Sequence, residues 1–215
     1  MTWSMLLPPE IPIFPLPNVV LFPQVGLPLH IFEPRYREMV AEALAGDRLI
    51  GMVLLRPGFE TEYENRPPIY PVGCAGLITH SESLPDGRYN IVLQGLEKFR
   101  VHAEQEGRSF RKALVEPLAD PVDAQEAGKL RGIRQRLEAL IAPLVERSGA
   151  DMHVPASISD VEIVNALAQY LPLEPLEKQA LLEREGPLAR GRSLVELLEM
   201  KALMHKACAA PKLPQ

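Results

Sequence analysis

Side chains capable of chemistry are present in this chain, but they are scattered. Ser193 and Lys201 form a serine–lysine pair in a late apolar stretch. Eight residues of helix span ~12 Å, too far for the amine to activate that hydroxyl. His30, His80, His102, His153 and His205 are dispersed along the sequence, and no H-E-x-x-H or C-x-x-C run offers ligands at metal spacing. His205 and Cys208 stand three apart without a second pair, which reads as a helix end rather than a metal site. Glu82 and Asp86 could act as paired carboxylates, yet they flank Pro85-Asp86-Gly87, and a polar turn accounts for them. No G-x-x-x-x-G-K-[ST] run is present to cradle a nucleotide phosphate. Nothing assembles a nucleophile, a base and an orienting group, so the sequence predicts no catalytic residue, no metal and no cofactor.

Recognition by surface remains. Phe14, Phe22, Phe32 and Tyr36 fall in and around a proline-rich stretch, Ile11 to Met39, where edge strands and loops could leave aromatic rings exposed. Core packing is the competing role for each ring. Pro28 has no N–H and cannot sit in mid-sheet, so its strand is expected at an edge. Arg35 and Glu33 mark the start of a helix, where they either hold the corner or face a partner. The candidate protein-binding residues are therefore Phe14, Phe22, Pro28, Phe32, Arg35 and Tyr36. The expected mode is capture of an exposed apolar segment in a groove between a β-rich part and a helical part, or a strand added along the Pro28 edge.

Composition narrows the partners. The chain has 215 residues, 23 Lys and Arg against 28 Asp and Glu, and a net charge of −5. That balance gives no broad basic field for nucleic acid. Lys129, Arg131, Arg134 and Arg136 make one basic face, but Glu126, Glu138 and Glu146 share the same segment, which favours a solvated face over RNA binding. Apolar runs such as Leu49 to Leu55 are far short of the ~20 residues of a membrane span. The opening MTWSMLLPPE has no Lys or Arg, unlike a secretory signal. Two cysteines, Cys74 and Cys208, fit a reducing compartment, so the cytoplasm is expected.

Periodicity places these residues on elements. Val25, Leu27, Leu29 and Ile31 alternate with Gly26, Pro28, His30 and Phe32, the period of a half-buried strand. At Pro34 the period changes, and Tyr36, Met39, Val40, Ala43 and Leu44 recur at helical spacing. Arg48 to Leu55 reads as a strand buried on both faces. Residues 56–68 read as an exposed loop. Val72 to Ile78 is a small-residue strand whose glycines predict a bulge or close backbone approach. Pro85-Asp86-Gly87 predicts a hairpin, followed by two half-exposed strands either side of Gly95 and a closing strand over Phe110 to Glu116. A linker at 118–125 then leads to helices. The first starts at Glu126 and carries Leu130, Ile133, Leu137, Leu140, Ile141, Leu144 and Val145 on one stripe, with Pro143 expected to kink or shorten its last turn. Ser159 with Glu162 marks a second helix, Pro175 a third, and Pro187 a fourth that runs to about Lys206. The division expected is 8–117 β-rich, 118–125 linker, 126–206 helical bundle and 207–215 loose tail.

Three runs in the first part, Phe14-Pro15-Leu16-Pro17, Val20-Leu21-Phe22-Pro23 and Leu27-Pro28-Leu29-His30-Ile31-Phe32-Glu33-Pro34-Arg35-Tyr36, resemble the opening signature of the Lon protease N-terminal domain family. DGRYNIVLQGLEKFRV resembles its second signature, and YLPLEPLEKQALLE its helical part. The resemblance implies an α+β fold: a PUA-like β pseudobarrel with one crossover helix, followed by an α-helical bundle. It also implies a non-enzymatic substrate-recognition module for unfolded or partner proteins, here a stand-alone member without ATPase or protease modules, with a separate protease or ATPase as possible partner. Other readings are an adaptor docking one fixed partner, a small-ligand sensor at the mouth of the pseudobarrel, and an RNA binder.

Overall fold

The computed structural model describes residues 7–59, 66–148 and 158–209, with 144–148 and 205–209 described as backbone alone. His153, the side chains of His205 and Cys208, the middle of the 56–68 loop and the last six residues lie outside the described residues.

Six strands and five helices follow in order: β1 (Glu10–Leu16), β2 (Gly26–Ile31), α1 (Pro34–Ala45), β3 (Leu49–Leu54), β4 (Val72–Ser83), β5 (Tyr89–Gln105), β6 (Arg111–Leu118), α2 (Ala124–Ser148), α3 (Asp160–Tyr170), α4 (Pro175–Leu182) and α5 (Gly186–Ala209). The fold is α+β. All strands join one sheet in the order β2-β5-β4-β3-β1-β6, and β5 also pairs with β6, so the pairing returns upon itself. β1 and β3 are parallel and the other pairs antiparallel. Parallel neighbours require a crossover, and the chain between β1 and β3 supplies it with β2 and α1.

β1 carries two prolines although it lies between two strands. Its first half, Glu10 to Ile13, pairs with β6 and its second half, Ile13 to Leu16, with β3. Pro12 and Pro15 each fall in a half that is paired on one side, the kind of position where a strand tolerates a residue with no N–H to donate. β3 is buried at all six residues, as its apolar run predicts. Ile11, Ile13, Val53, Phe99 and Ala113 share one core. Gly51 and Gly73 make room for Phe99: a Cβ on either would lie 2.7 Å from its Cζ, and a Cβ on Gly73 would lie 2.4 Å from the Met52 carbonyl oxygen.

Gly95 does not separate two strands. β5 is one strand of 17 residues. Its first part pairs with β2 and β4, and its last part pairs with β6. The period breaks at Gly95 because the 22–25 segment crosses there. Gln24 N–H donates to the Gly95 carbonyl at 2.8 Å, Gly95 N–H donates to the Val25 carbonyl at 2.9 Å, and a Cβ would sit 2.0 Å from the Phe22 carbonyl oxygen. The expected irregularity in β4 is present as register shifts at Ala75/Gly76 and at Ile78/His80.

The chain divides into two compact units, one of Met1–Asp120 with Asn165–Glu183, the other of Pro121–Val164 with Arg184–Gln215. The residues Asn165–Glu183 thus group with the sheet and not with the remaining helices. Polar side chains explain why. Asn165 donates to the Pro23 carbonyl, Gln169 to that of Gly26 and Gln179 to that of Val72, each at 2.9 Å. In the other unit α2 begins where Asp123 Oδ1 accepts from Glu126 N–H at 2.7 Å, a cap for an N-terminal orphan donor. α2 continues past Pro143 to Ser148. Gly191 brings α5 against α2, for a Cβ there would lie 2.7 Å from Ile133 Cγ2. Arg134 pairs with Glu138 and Asp160, and Arg136 with Glu199, so this basic face is tied into ion pairs. The apolar face of α5 buries Leu188 and Leu194 but leaves Met200, Leu203 and Met204 exposed.

Candidate functional site

The ends of several elements converge on one apolar groove of ≈ 880 Å³ in the sheet-containing unit. Parallel pairing puts the C-terminal ends of β1 and β3 side by side, and Leu55 N–H donates to the Leu16 carbonyl at 3.0 Å just beyond them. Leu16 and Leu55 therefore stand together in the wall. β2 delivers Leu29 and Ile31 before Pro34 opens α1. Tyr36 N–H and Arg37 N–H both donate to the Glu33 carbonyl, which fixes the strand-to-helix corner. Opposite stands the start of α4, where Glu174 and Glu177 form a reciprocal capping box before Pro175 and Leu176.

The floor is aromatic and buried. Phe14 and Tyr36 pack with ring centroids 4.3 Å apart at 45°, and the Arg35 guanidinium lies 4.6 Å from the Tyr36 centroid. The rim is apolar and open: Phe32 is 61% exposed, Leu176 48% and Phe59 36%. Large apolar side chains left in water around a concave surface mark a binding site more often than a packing fault.

Of the candidates read from sequence, Phe14, Phe32 and Tyr36 meet in this groove. Arg35 holds the corner through a 2.9 Å ion pair with Glu33 and lines a smaller neighbouring pocket. Pro28 is exposed on β2, which pairs with β5 on one side, and borders a separate depression with His80 and Val92. Phe22 is fully buried and belongs to the core. Sequence reasoning missed Leu16, Leu29, Leu55, Phe59 and Leu176. Phe59 could have been found as the one aromatic early in the exposed 56–68 loop, and Leu176 as an apolar residue directly after a helix-opening proline.

The polar candidates have ordinary partners. Glu82 accepts from Asn90 at 2.7 Å. Asp86 is held at about 2 by the Arg88 guanidinium beside it, which is the signature of a turn ion pair rather than a general acid. Lys178, on α4, donates to the Gln169 carbonyl at 2.6 Å, and burial pushes its ammonium below the usual lysine range. Among the described residues no group of three or more His, Cys, Asp or Glu stands close enough to hold a metal ion, and no helix is long and apolar enough to cross a membrane.

Comparison with known proteins decides the family. The ATP-dependent protease La (LON) substrate-binding domain matches residues 10–200. This chain belongs to the Lon substrate-binding domain family. It is 32% identical over 202 residues to Lon protease of Trichlorobacter lovleyi, covering 89% of this chain and 24% of that protein. It is 27% identical to Lon protease of Escherichia coli, covering 88% and 24%. The chain thus spans about a quarter of the length of the curated relatives it matches. Two solved structures share the fold. The N-terminal domain of Mycobacterium avium complex Lon protease matches with a TM-score of 0.64 at 14% identity, covering 88% of this chain and 98% of that one. A Lon N-terminal domain protein from Xanthomonas campestris matches with a TM-score of 0.57 at 22% identity, covering 88% and 97%. The matched Lon domain is a non-catalytic module, and these 215 residues carry neither an ATPase nor a protease module.

Proposed function

We propose that this Lon-type domain grips apolar segments of unfolded or partner proteins in the groove formed by Phe14, Phe32, Tyr36, Phe59 and Leu176, as the recognition step of protein quality control in the cytoplasm, with proteolysis performed by a separate ATPase–protease. The observation that carries this reading is an open aromatic and aliphatic rim above a buried aromatic floor. The returning strand pairings support a PUA-like pseudobarrel as the frame that holds the groove's walls at fixed spacing. Two or three apolar side chains of a client would each gain roughly 1.5–3 kcal/mol on burial. Association and ordering cost several kcal/mol, so capture is weak and reversible. Strand addition along β2 is the poorer route. Its first outward carbonyl, that of Gly26, already accepts from Gln169 and Tyr170, and Pro28 has no N–H to offer.

Fluorescence anisotropy with reduced, carboxymethylated α-lactalbumin tests the proposal. Saturable binding is expected, and F32S/L176S should weaken it at least tenfold, since both side chains are exposed and their loss leaves the fold intact. Wild-type protein that ignores the unfolded probe, or a variant that binds as wild type does, would overturn it.

A further inference from the structure

Beside the groove, and sharing Tyr36 and Leu55 with it, lies a pocket of ≈ 120 Å³ whose lining has a different chemistry. Arg35, Arg66, Arg108 and Arg111 all line it, together with Ser109, and among the described residues no carboxylate does. Its volume is about that of four waters, room enough for one tetrahedral oxyanion. From these observations we propose that this pocket is a binding site for a phosphoryl group. The inference stands apart from the groove's reading.

Four cationic forks around so small a space would repel one another unless something held them, and each has partners. Arg111 is 7% exposed and is gripped through Nε and Nη2 by Glu104 and through Nη1 by the Pro67 carbonyl at 2.8 Å. Arg108 pairs with Glu42 at 2.7 Å and lies over the Phe110 ring at 5.9 Å. Arg35 pairs with Glu33 and stacks on Tyr36. Glu33, Glu42 and Glu104, and Glu38, which accepts from Ser109 Oγ at 2.6 Å, stand outside the lining, so the lining itself presents guanidinium groups and no carboxylate.

Arg66 is held differently. Its Nη1 donates to the Gln105 carbonyl at 2.7 Å and its Nη2 to the Arg108 carbonyl at 3.2 Å, neutral acceptors that leave the cationic charge undiminished. Its backbone sits at φ 56, the left-handed region that non-glycine residues seldom adopt, so the chain is strained where it delivers this side chain. The pocket also meets the first turn of α1 at Arg35 and Tyr36, where the helix macrodipole is positive. Planar guanidinium forks bind phosphoryl oxygens bidentately, and converging forks favour a dianion over a lone carboxylate.

The test is a titration of the full chain with orthophosphate at low ionic strength, read by isothermal calorimetry and by Tm, against chloride at matched ionic strength. Saturable binding and a phosphate-dependent rise in Tm are expected. R66Q and R108Q should each weaken binding roughly tenfold. R88Q, which alters an exposed arginine at the hairpin turn, and the groove variant F32S/L176S should bind as wild type does. A phosphoserine peptide run beside its unphosphorylated twin separates the sources. Tighter binding than orthophosphate, lost in R66Q, assigns a phosphorylated client segment, and parity with orthophosphate assigns a free anion. Equal effects of phosphate and chloride, or a loss in R88Q as large as in R66Q and R108Q, would overturn the site.

Discussion

Gln169 is the residue through which the helical segment 165–183 holds the entry to β2, and its removal should be costly. Its Oε1 accepts from Phe22 N–H and its Nε2 donates to the Gly26 carbonyl, both at 2.9 Å, from a side chain that is 5% exposed. Q169L keeps the volume and withdraws both bonds. Withdrawing the acceptor from a buried N–H costs about 1–3 kcal/mol. The Gly26 carbonyl retains the Tyr170 hydroxyl at 2.5 Å, so that side of the clasp adds at most about 1 kcal/mol. The gain from burying a leucine offsets part, leaving about 2–3 kcal/mol. For a chain of this length that is a fall in Tm of roughly 4–12 °C.

The assay is urea unfolding followed by far-UV circular dichroism, where Q169L should lower the midpoint at constant slope. Amide exchange at Phe22 should quicken in parallel. Y170F alone should cost little, because Gln169 still serves Gly26. The double variant Q169L/Y170F should cost more than the two single changes together, by about 0.5–1 kcal/mol, since only then does the carbonyl lose both donors. A Q169L protein within about 0.5 kcal/mol of wild type would refute the clasp, as would an additive double variant.

Two further outcomes follow from local geometry. G95A places a methyl group 2.0 Å from the Phe22 carbonyl oxygen, a backbone atom that cannot swing aside. It should therefore destabilise by more than about 4 kcal/mol and yield little soluble protein, and normal expression with an unchanged Tm would contradict the crossing at Gly95. Asp86, depressed to about 2 by Arg88, should favour the folded hairpin above the ordinary aspartate range, with that contribution lost as pH falls towards 2. A side-chain NMR titration should give a midpoint near 2 in wild type and one near the usual value in R88Q.

Much of the frame was readable from residue order because local chemistry and tertiary packing agree there. The buried run of β3, the hairpin at Asp86-Gly87, the switch from strand to helix at Pro34 and the capping of α3 at Ser159 each have a local cause and each appears where expected. β5 was misread at Gly95 because the break in its pattern comes from a distant segment crossing it. Phe22 looked like its neighbours Phe14 and Phe32, and alternation alone gives no way to tell an aromatic ring in the core from one on a rim.

The grouping of 165–183 was hidden for a related reason: its allegiance is written in amide side chains reaching strand carbonyls, and a glutamine on a helix gives no hint of what it will meet. The same argument explains why half of the groove escaped notice. Phe14, Phe32 and Tyr36 are close in sequence, whereas Phe59 and Leu176 arrive from a loop and from α4. A wall built from elements more than a hundred residues apart becomes visible only when α4 is known to lie against the sheet. The clasp at Gln169 and the groove are thus one structural fact. If Q169L loosens the 165–183 segment from β2, Leu176 should leave the rim, and capture of the unfolded probe should weaken in a protein whose groove residues are all intact.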